Sequence, residues 1–306
     1  INFAFNNSNV LTRYNFGYRD PYFTLDGVSL GYDIGYTKRN AYQANISRYN
    51  TNAANAGFNF GIPLNEFDSL GFDTDLKRTE ISDTDYSPQE VVDFIADNGD
   101  SFLTLSGAVG WTHDTLNKAV FATDGFQQRF SALATVPGSD LEYYKVGYKQ
   151  QHYFPLSSDF TFRLLGEVAY GDGYGKTDEL PFFENYFGGG AQSVRGFRDN
   201  TLGPKDTPRN GSVARPFGGS SKILGKAELF FPVPFLSDIK SVRIGTFVDA
   251  GTVSKGWQIN DLRYSAGLSG EWLSPFGAIA VSVAQPFNAS STDNVQNFQF
   301  TFGSGF

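Results

Sequence analysis

"FTFRLLGEVAY", residues 160–170, alternates with a period of two: Phe160, Phe162, Leu164, Val168 and Tyr170 fall on one face, Thr161, Arg163, Glu167 and Ala169 on the other. Successive side chains of a β-strand point to opposite faces, whereas a helix would repeat its apolar positions every three or four residues. The stretch reads as a strand with one apolar and one charged face. "SVRIGTFVDAG" (241–251) repeats the pattern, with Val242, Ile244 and Val248 opposed to Arg243, Phe247 and Asp249. So does "DLRYSAGLSGEWL" (261–273), where Leu262, Tyr264, Ala266, Leu268 and Trp272 oppose Arg263, Ser265, Ser269 and Glu271. In "KAELFF" (226–231) and "EYYKVGYK" (142–149), Lys226, Glu228, Lys145 and Lys149 occupy the polar face.

A soluble sandwich also alternates, with its polar face in water. Two features favour an antiparallel transmembrane β-barrel. The polar faces carry charges of both signs, and apolar faces end in aromatics (Tyr170, Trp272, Phe231, Phe154) where a membrane interface favours them. Most segments run about 10–13 residues, the length a tilted strand needs to cross lipid. Fourteen strands are expected, at about 1–7, 9–19, 28–38, 54–63, 67–79, 101–113, 126–136, 142–154, 159–171, 221–232, 241–252, 262–273, 278–286 and 295–306. Residues 1–306 would then form one barrel domain.

Composition agrees. Among 306 residues there are 31 Phe, 16 Tyr and 34 Gly, the balance of a turn-rich β protein. No apolar run approaches the roughly 20 residues of a spanning helix. A net charge of −8 argues against nucleic acid as a partner, which wants a basic stripe. There is no Cys, so disulfides and thiolate metal sites are excluded. The chain also lacks Met and opens on "INFAFNN", which already alternates, so we read it as starting inside a fold.

Connections alternate in kind. "DPYFTLDG", "PLNE", "FPLSSD", "FPVPFLSD" and "SPFG" are compact turns, whereas 39–53, 80–100, 172–220, 253–261 and 287–294 are longer. Tight "NSN" and "PGSD" interrupt the long series. Short periplasmic turns with long extracellular loops are the outer-membrane pattern. Within the acidic stretch 80–100, "SPQEVVDFIADNG" offers Ser87 as N-cap, Glu90 as its capping-box partner and Asn98-Gly99 as a stop. A short surface helix is expected there, with Val91, Val92, Phe94 and Ile95 packed on neighbouring loops.

The loop 172–220 contains "GGGAQSVRGFRDN" (188–200), with Arg195 set in the tetrad Val194-Arg195-Gly196-Phe197. Phe182, Phe183, Tyr186, Phe187, Val194 and Phe197 need somewhere to pack, and the barrel interior is the nearest enclosed space. An Arg entering it must be paired, and Asp249 and Glu228 stand on the polar faces of the next two strands. The residues alone leave open a solvated Arg195 on a flexible glycine loop.

"SVRGF" in a long loop, "FVDAG" two strands on and a C-terminal aromatic strand resemble the BamA superfamily of outer-membrane insertases and transporters. "DPYFTLDGVSLGY", "FATDGFQQRF", "VPGSDLEYYKV", "PFFENYFGGG" and "SPFGAIAVSVAQPF" extend the likeness over nearly the whole chain. The resemblance implies a sixteen-strand barrel preceded by POTRA domains, which, with the first two strands, would lie outside this chain. It pairs Arg195 with Asp249 and places Glu228 at an acidic position beside them. It also implies a lateral gate between first and last strands, formed here by Phe300, Phe302, Gly303, Gly305 and Phe306, with a kink at Gly303. Implied partners are unfolded outer-membrane clients, accessory lipoproteins of an assembly complex, and outer-membrane lipid. The alternative within the superfamily is a secretion pore.

No enzyme constellation is expected. His113 and His152 stand near strand ends, where an interfacial His is ordinary, without metal-ligand or triad companions. "GGGAQS" lacks the Lys of a phosphate loop, and no cofactor is called for.

Overall fold

The computed structural model describes residues 1–233, 241–259 and 261–303. In chain order its strands are β1 (Asn2–Asn7), β2 (Leu11–Asp20), β3 (Ser29–Asn40), β4 (Asn50–Pro63), β5 (Asp68–Ser82), β6 (Ser101–Asp114), β7 (Gly125–Thr135), β8 (Tyr143–Pro155), β9 (Thr161–Gly173), β10 (Gly196–Phe197), β11 (Ser221–Phe231), β12 (Val242–Ser254), β13 (Arg263–Ser274), β14 (Gly277–Pro286), β15 (Val295–Gln296) and β16 (Phe298–Gly303). Fourteen of them form one antiparallel sheet in which each strand pairs with its neighbours in sequence. The two-residue strands β10 and β15 pair with each other. The fourteen expected wall strands are thus all present.

The faces fall as the alternation requires. Leu164, Val168, Val248, Leu268 and Trp272 are exposed on the outside, whereas Arg163, Arg243, Asp249 and Glu271 are buried on the inside. Register places Arg163 opposite Glu228 and Arg243 opposite Glu271. A one-residue slip would put every one of these charges into lipid, so the pairing is strongly specified. At the short-turn end, His113 joins Phe67, Trp111 and Phe126 in an aromatic group and bonds Asp68 through Nδ1 at 2.9 Å, and His152 stacks on Phe154 at 3.9 Å.

Several boundaries differ from expectation: of the last strand expected at 295–306, Val295–Gln296 leaves the wall to pair with Gly196–Phe197, and the wall strand described is Phe298–Gly303. β4 starts at Asn50 and β5 runs to Ser82, so the loops at 39–53 and 80–100 are shorter than composition suggests. Asn and Thr in "NTNAA" signal a turn, but Asn50 pairs with Asn40 on one side and Ser82 on the other, and the ladder overrides local preference. The helix α1 (Gln89–Asn98) forms, but with Pro88 at the N-cap. Ser87 does not cap it: its hydroxyl donates to the Arg48 carbonyl and accepts from the Thr84 amide. Glu90 closes no capping box either, because it accepts from the amide and hydroxyl of Thr207.

The long loop, 174–220 here because β9 extends to Gly173, serves two cores. Phe182 packs with Ile46, Tyr49, Ile81, Val91, Phe102, Leu141 and Leu180 in an extracellular dome, joined by Phe183, Tyr186 and Phe187. Val194 and Phe197 descend into the barrel with Leu165, Leu202 and Leu224. The expectation that all six of these residues enter the barrel is corrected: three loops and α1 build their own apolar roof, and of the six only Val194 and Phe197 go below it.

Candidate functional site: the lumenal arginine and the last strand

Gly196 makes the descent possible. Its φ is +89°, a region that favours glycine, and a Cβ there would stand 3.1 Å from both Ala284 and the Pro286 ring. The preceding Arg195 is 5% exposed. Its Nε donates to Asp249 Oδ2 at 2.7 Å and its Nη2 to Asp249 Oδ1 at 2.7 Å, a bidentate fork. The Arg195 backbone N–H adds a third bond to Asp249 Oδ2 at 3.0 Å. Nη2 also lies 2.7 Å from Glu228 Oε1, whose other oxygen accepts from Arg163 at 2.9 Å. The guanidinium lies 3.4 Å from the Phe247 ring centroid, so packing and cation–π attraction act together. The open question about Arg195 resolves in favour of the paired, enclosed guanidinium.

Loop and last strand are tied together, which the residue pattern did not reveal. Gln299 of β16 donates from Nε2 to the Phe197 carbonyl at 2.7 Å. Gly196–Phe197 pair with Val295–Gln296, and the Arg198 N–H donates to the Asn294 carbonyl at 2.8 Å. A tetrad braced on β11 and β12 by charge is therefore braced on the end of the chain by backbone. Only Gln299, an amide among outward phenylalanines, could have hinted at an inward partner.

Of the expected gate residues, Phe300 and Phe302 face outward with Phe298, all exposed. Gly303 is the last described residue of β16 and has φ +114°. A methyl group added at its Cα would meet nothing within 4 Å, so the backbone turns there without crowding. Gly305 and Phe306 lie outside the described residues. The β16 ladder to β14 runs only from Phe298–Val283 to Gly303–Ala278. Among the described residues, it and the β1–β2 ladder are the shortest in the sheet.

Higher in the loop, Glu184 accepts from Lys77 of β5 at 2.8 Å and lies 3.2 Å from Lys145 of β8. Burial pushes its carboxyl up, but the two ammonium groups outweigh that and hold it below its ordinary value. Other rungs are satisfied likewise: Lys222 bonds Glu167 at 2.7 Å and Arg243 bonds Glu271 at 2.6 Å. Below the loop the lumen keeps a chamber of about 670 Å³. No group of three or more His, Asp or Glu suited to a metal occurs among the described residues.

The Omp85 superfamily domain model matches residues 1–306. The chain is 36% identical to the outer membrane protein assembly factor BamA of Neisseria meningitidis serogroup B over 94% of its own length and 41% of that protein's. It is 24% identical to the protein of the same name from Nitratidesulfovibrio vulgaris, covering 80% of this chain and 30% of that one. The chain thus spans less than half the length of these curated relatives. Its fold superposes on a crystal structure of Haemophilus ducreyi BamA lacking POTRA domains 1–3 with a TM-score of 0.86, at 28% identity, covering 95% of this chain and 61% of that one. CdiB from Acinetobacter baumannii shares the fold at a TM-score of 0.59 and 14% identity, covering 95% of this chain and 48% of that one.

Proposed function

The chain belongs to the Omp85 superfamily and is an integral outer-membrane β-barrel of a Gram-negative bacterium, and from that premise we propose that it forms the core of an insertase. It folds outer-membrane β-barrel proteins into the membrane at the seam beside β16, without nucleotide or cofactor. The observation that carries this reading is the construction of β16: a short ladder on one side, a bend at Gly303, and an inward tether from Gln299 to the Arg195 loop. A strand held so briefly can exchange its edge for a client strand, and backbone hydrogen bonding to such an edge needs no particular client sequence. Outward Phe298, Phe300 and Phe302 keep the seam in contact with lipid, where a nascent barrel must end up. Unfolded clients, outer-membrane lipid and accessory lipoproteins of an assembly complex are the proposed partners.

Covalent closure tests this. Cysteines placed on β16 and on the first barrel strand of the full-length protein should crosslink and abolish client insertion while the barrel stays folded. Normal insertion by the locked protein would sink the seam as the route. The competing reading, a secretion pore, predicts a large steady conductance from the barrel in planar bilayers. With Val194, Arg195 and Phe197 buried in the lumen, we expect only small, unsteady currents.

A further inference from the structure

The chamber below the loop holds cations that the ion-pair network leaves over. Arg129 of β7 and Lys149 of β8 stand directly opposite each other in register, and both line it. Like charges across a strand pair destabilise each other. The next residue along that row, Glu167, gives its carboxylate to Lys222. One rung away Lys226 also lines the chamber, and among the described residues its ammonium donates to the Ala191 carbonyl alone, at 3.3 Å. Its neighbours Asp249 and Glu228 are taken by Arg195 and Arg163. Among the described residues none of Arg129, Lys149 and Lys226 has a carboxylate within ion-pair distance. Of the other acids on the chamber wall, Glu271 is paired with Arg243, whereas Asp114 and Glu66 carry negative charge toward the periplasmic end, where Lys118 also stands, and leave the cations in excess.

Three further wall residues have buried polar atoms with no hydrogen-bond partner: the donors Arg163 Nε and the Ser269 hydroxyl, and the acceptor Gln299 Oε1. A buried donor without a partner is costly, so the cavity, the surplus charge and the two idle donors ask for the same complement. The loop roofs the chamber, while Glu66, Leu116 and Lys118 on its wall belong to the short-turn end, so access is from the periplasm.

We propose that this chamber binds a multivalent oxyanion, a phosphate or polycarboxylate group, bridging Arg129, Lys149 and Lys226. The proposal does not rest on the insertase reading. A bound dianion would cancel the Arg129–Lys149 repulsion and take up the idle N–H and O–H groups, and a monovalent ion could do neither fully.

The test measures thermal unfolding of the full-length protein in non-ionic detergent, followed by loss of its folded mobility on gels, with calorimetric titration in parallel. Pyrophosphate and citrate are compared with chloride at equal ionic strength. Pyrophosphate should raise the unfolding temperature beyond chloride. A citrate response of the same size assigns the site to oxyanions generally, and none assigns it to phosphate. The double variant Arg129→Gln, Lys149→Gln should unfold at a higher temperature than the parent without added anion, because the repulsion is gone. It should bind pyrophosphate at least about tenfold more weakly, the loss of one or more charge-assisted contacts. If neither anion exceeds chloride in the unsubstituted protein, or the double variant responds as the parent does, the site does not exist.

Discussion

The lumenal faces of β9–β13 and of β2–β5 are built on the same alternation, yet they are different surfaces. On the first, charge meets charge: Glu167 with Lys222, Arg163 with Glu228, Arg243 with Glu271, and Asp249 under Arg195. On the second, asparagines lie over glycines, with Asn59 directly opposite Gly31 and Asn55 opposite Gly35, so close that a Cβ on either glycine would meet the amide oxygen. Its carboxylates Asp33 and Asp75 accept not from a cation but from the single amide of Asn55, at 3.1 and 2.8 Å. The loop explains the contrast. Toward β9–β13 it must be gripped inside the barrel, out of bulk water, where a charge is tolerable only if paired. Toward the early strands its one ion pair is Glu184 with Lys77 of β5 among the described residues, and it otherwise touches the rim, where Ser47 bonds Asp206 and Asn200 donates to the Ala44 carbonyl at 3.0 Å.

The hardest test of that contrast is Arg195→Ala. It strands Asp249 and Glu228 together without the fork, and breaking a buried pair from one side costs about 3–5 kcal/mol. The expected result is rapid protease cleavage within 188–200 and a lower unfolding temperature. Arg195→Lys should recover only part of the loss, since an ammonium cannot make the fork or lie flat on Phe247. An unchanged cleavage rate would erase the distinction between the two walls.

Acid should sharpen it. Because the Glu184 carboxyl is held below its ordinary value of 4.5, the stability it contributes is present above that value and fades as pH falls through the lower, folded one. Its charge-assisted bonds to Lys77 and Lys145 contribute on the order of 1.5–3 kcal/mol. Limited proteolysis near 182–187 should therefore rise below pH 4.5, and Glu184→Gln should be cleaved readily at neutral pH with little further change on acidification.

Gln299→Ala removes a buried bond, but the Phe197 carbonyl keeps the Gly190 N–H as a donor, so the loss is about 0.5–1.5 kcal/mol. Hydrogen exchange should quicken in Phe298–Gly303 and in 195–198 together, while β4 and β5 stay protected. Exchange confined to β16 would mean the tether carries nothing between them. Smallest is Asn55→Ala on the plainer wall, where the hydrogen bonds are part-buried and water can replace them; we expect a change within about 1 kcal/mol. A larger loss there would mean that wall is anchored too.

Period-two residues such as Arg163 and Leu164 disclosed the strands and their faces, because alternation is local and a register slip is penalised at every rung. Pairing of Arg195 was half legible: the requirement for a carboxylate follows from burial, but the choice of Asp249 rested on resemblance. What stayed hidden joins residues far apart without periodicity. Glu90 looked like a capping residue until Thr207 took it, and Gln299 had no local reason to seek Phe197. The Asn-rich start of β4 shows the same limit, since only pairing with both neighbours makes it a strand.

The extracellular dome carries a consequence in time. Tyr49 meets Phe182 edge-on at 4.8 Å, and Phe94 meets the same ring at 5.2 Å. These partners come from loops separated by whole hairpins of wall, so none can find another cheaply in an unfolded chain, where closing long segments costs entropy before any contact rewards it. Once the strands between them have zipped, the loop bases are already neighbours and the closure cost has been met by the wall. Roofing is then expected to follow the zipping of β3 to β9, a latch that sets only after β9 has found its place beside β8.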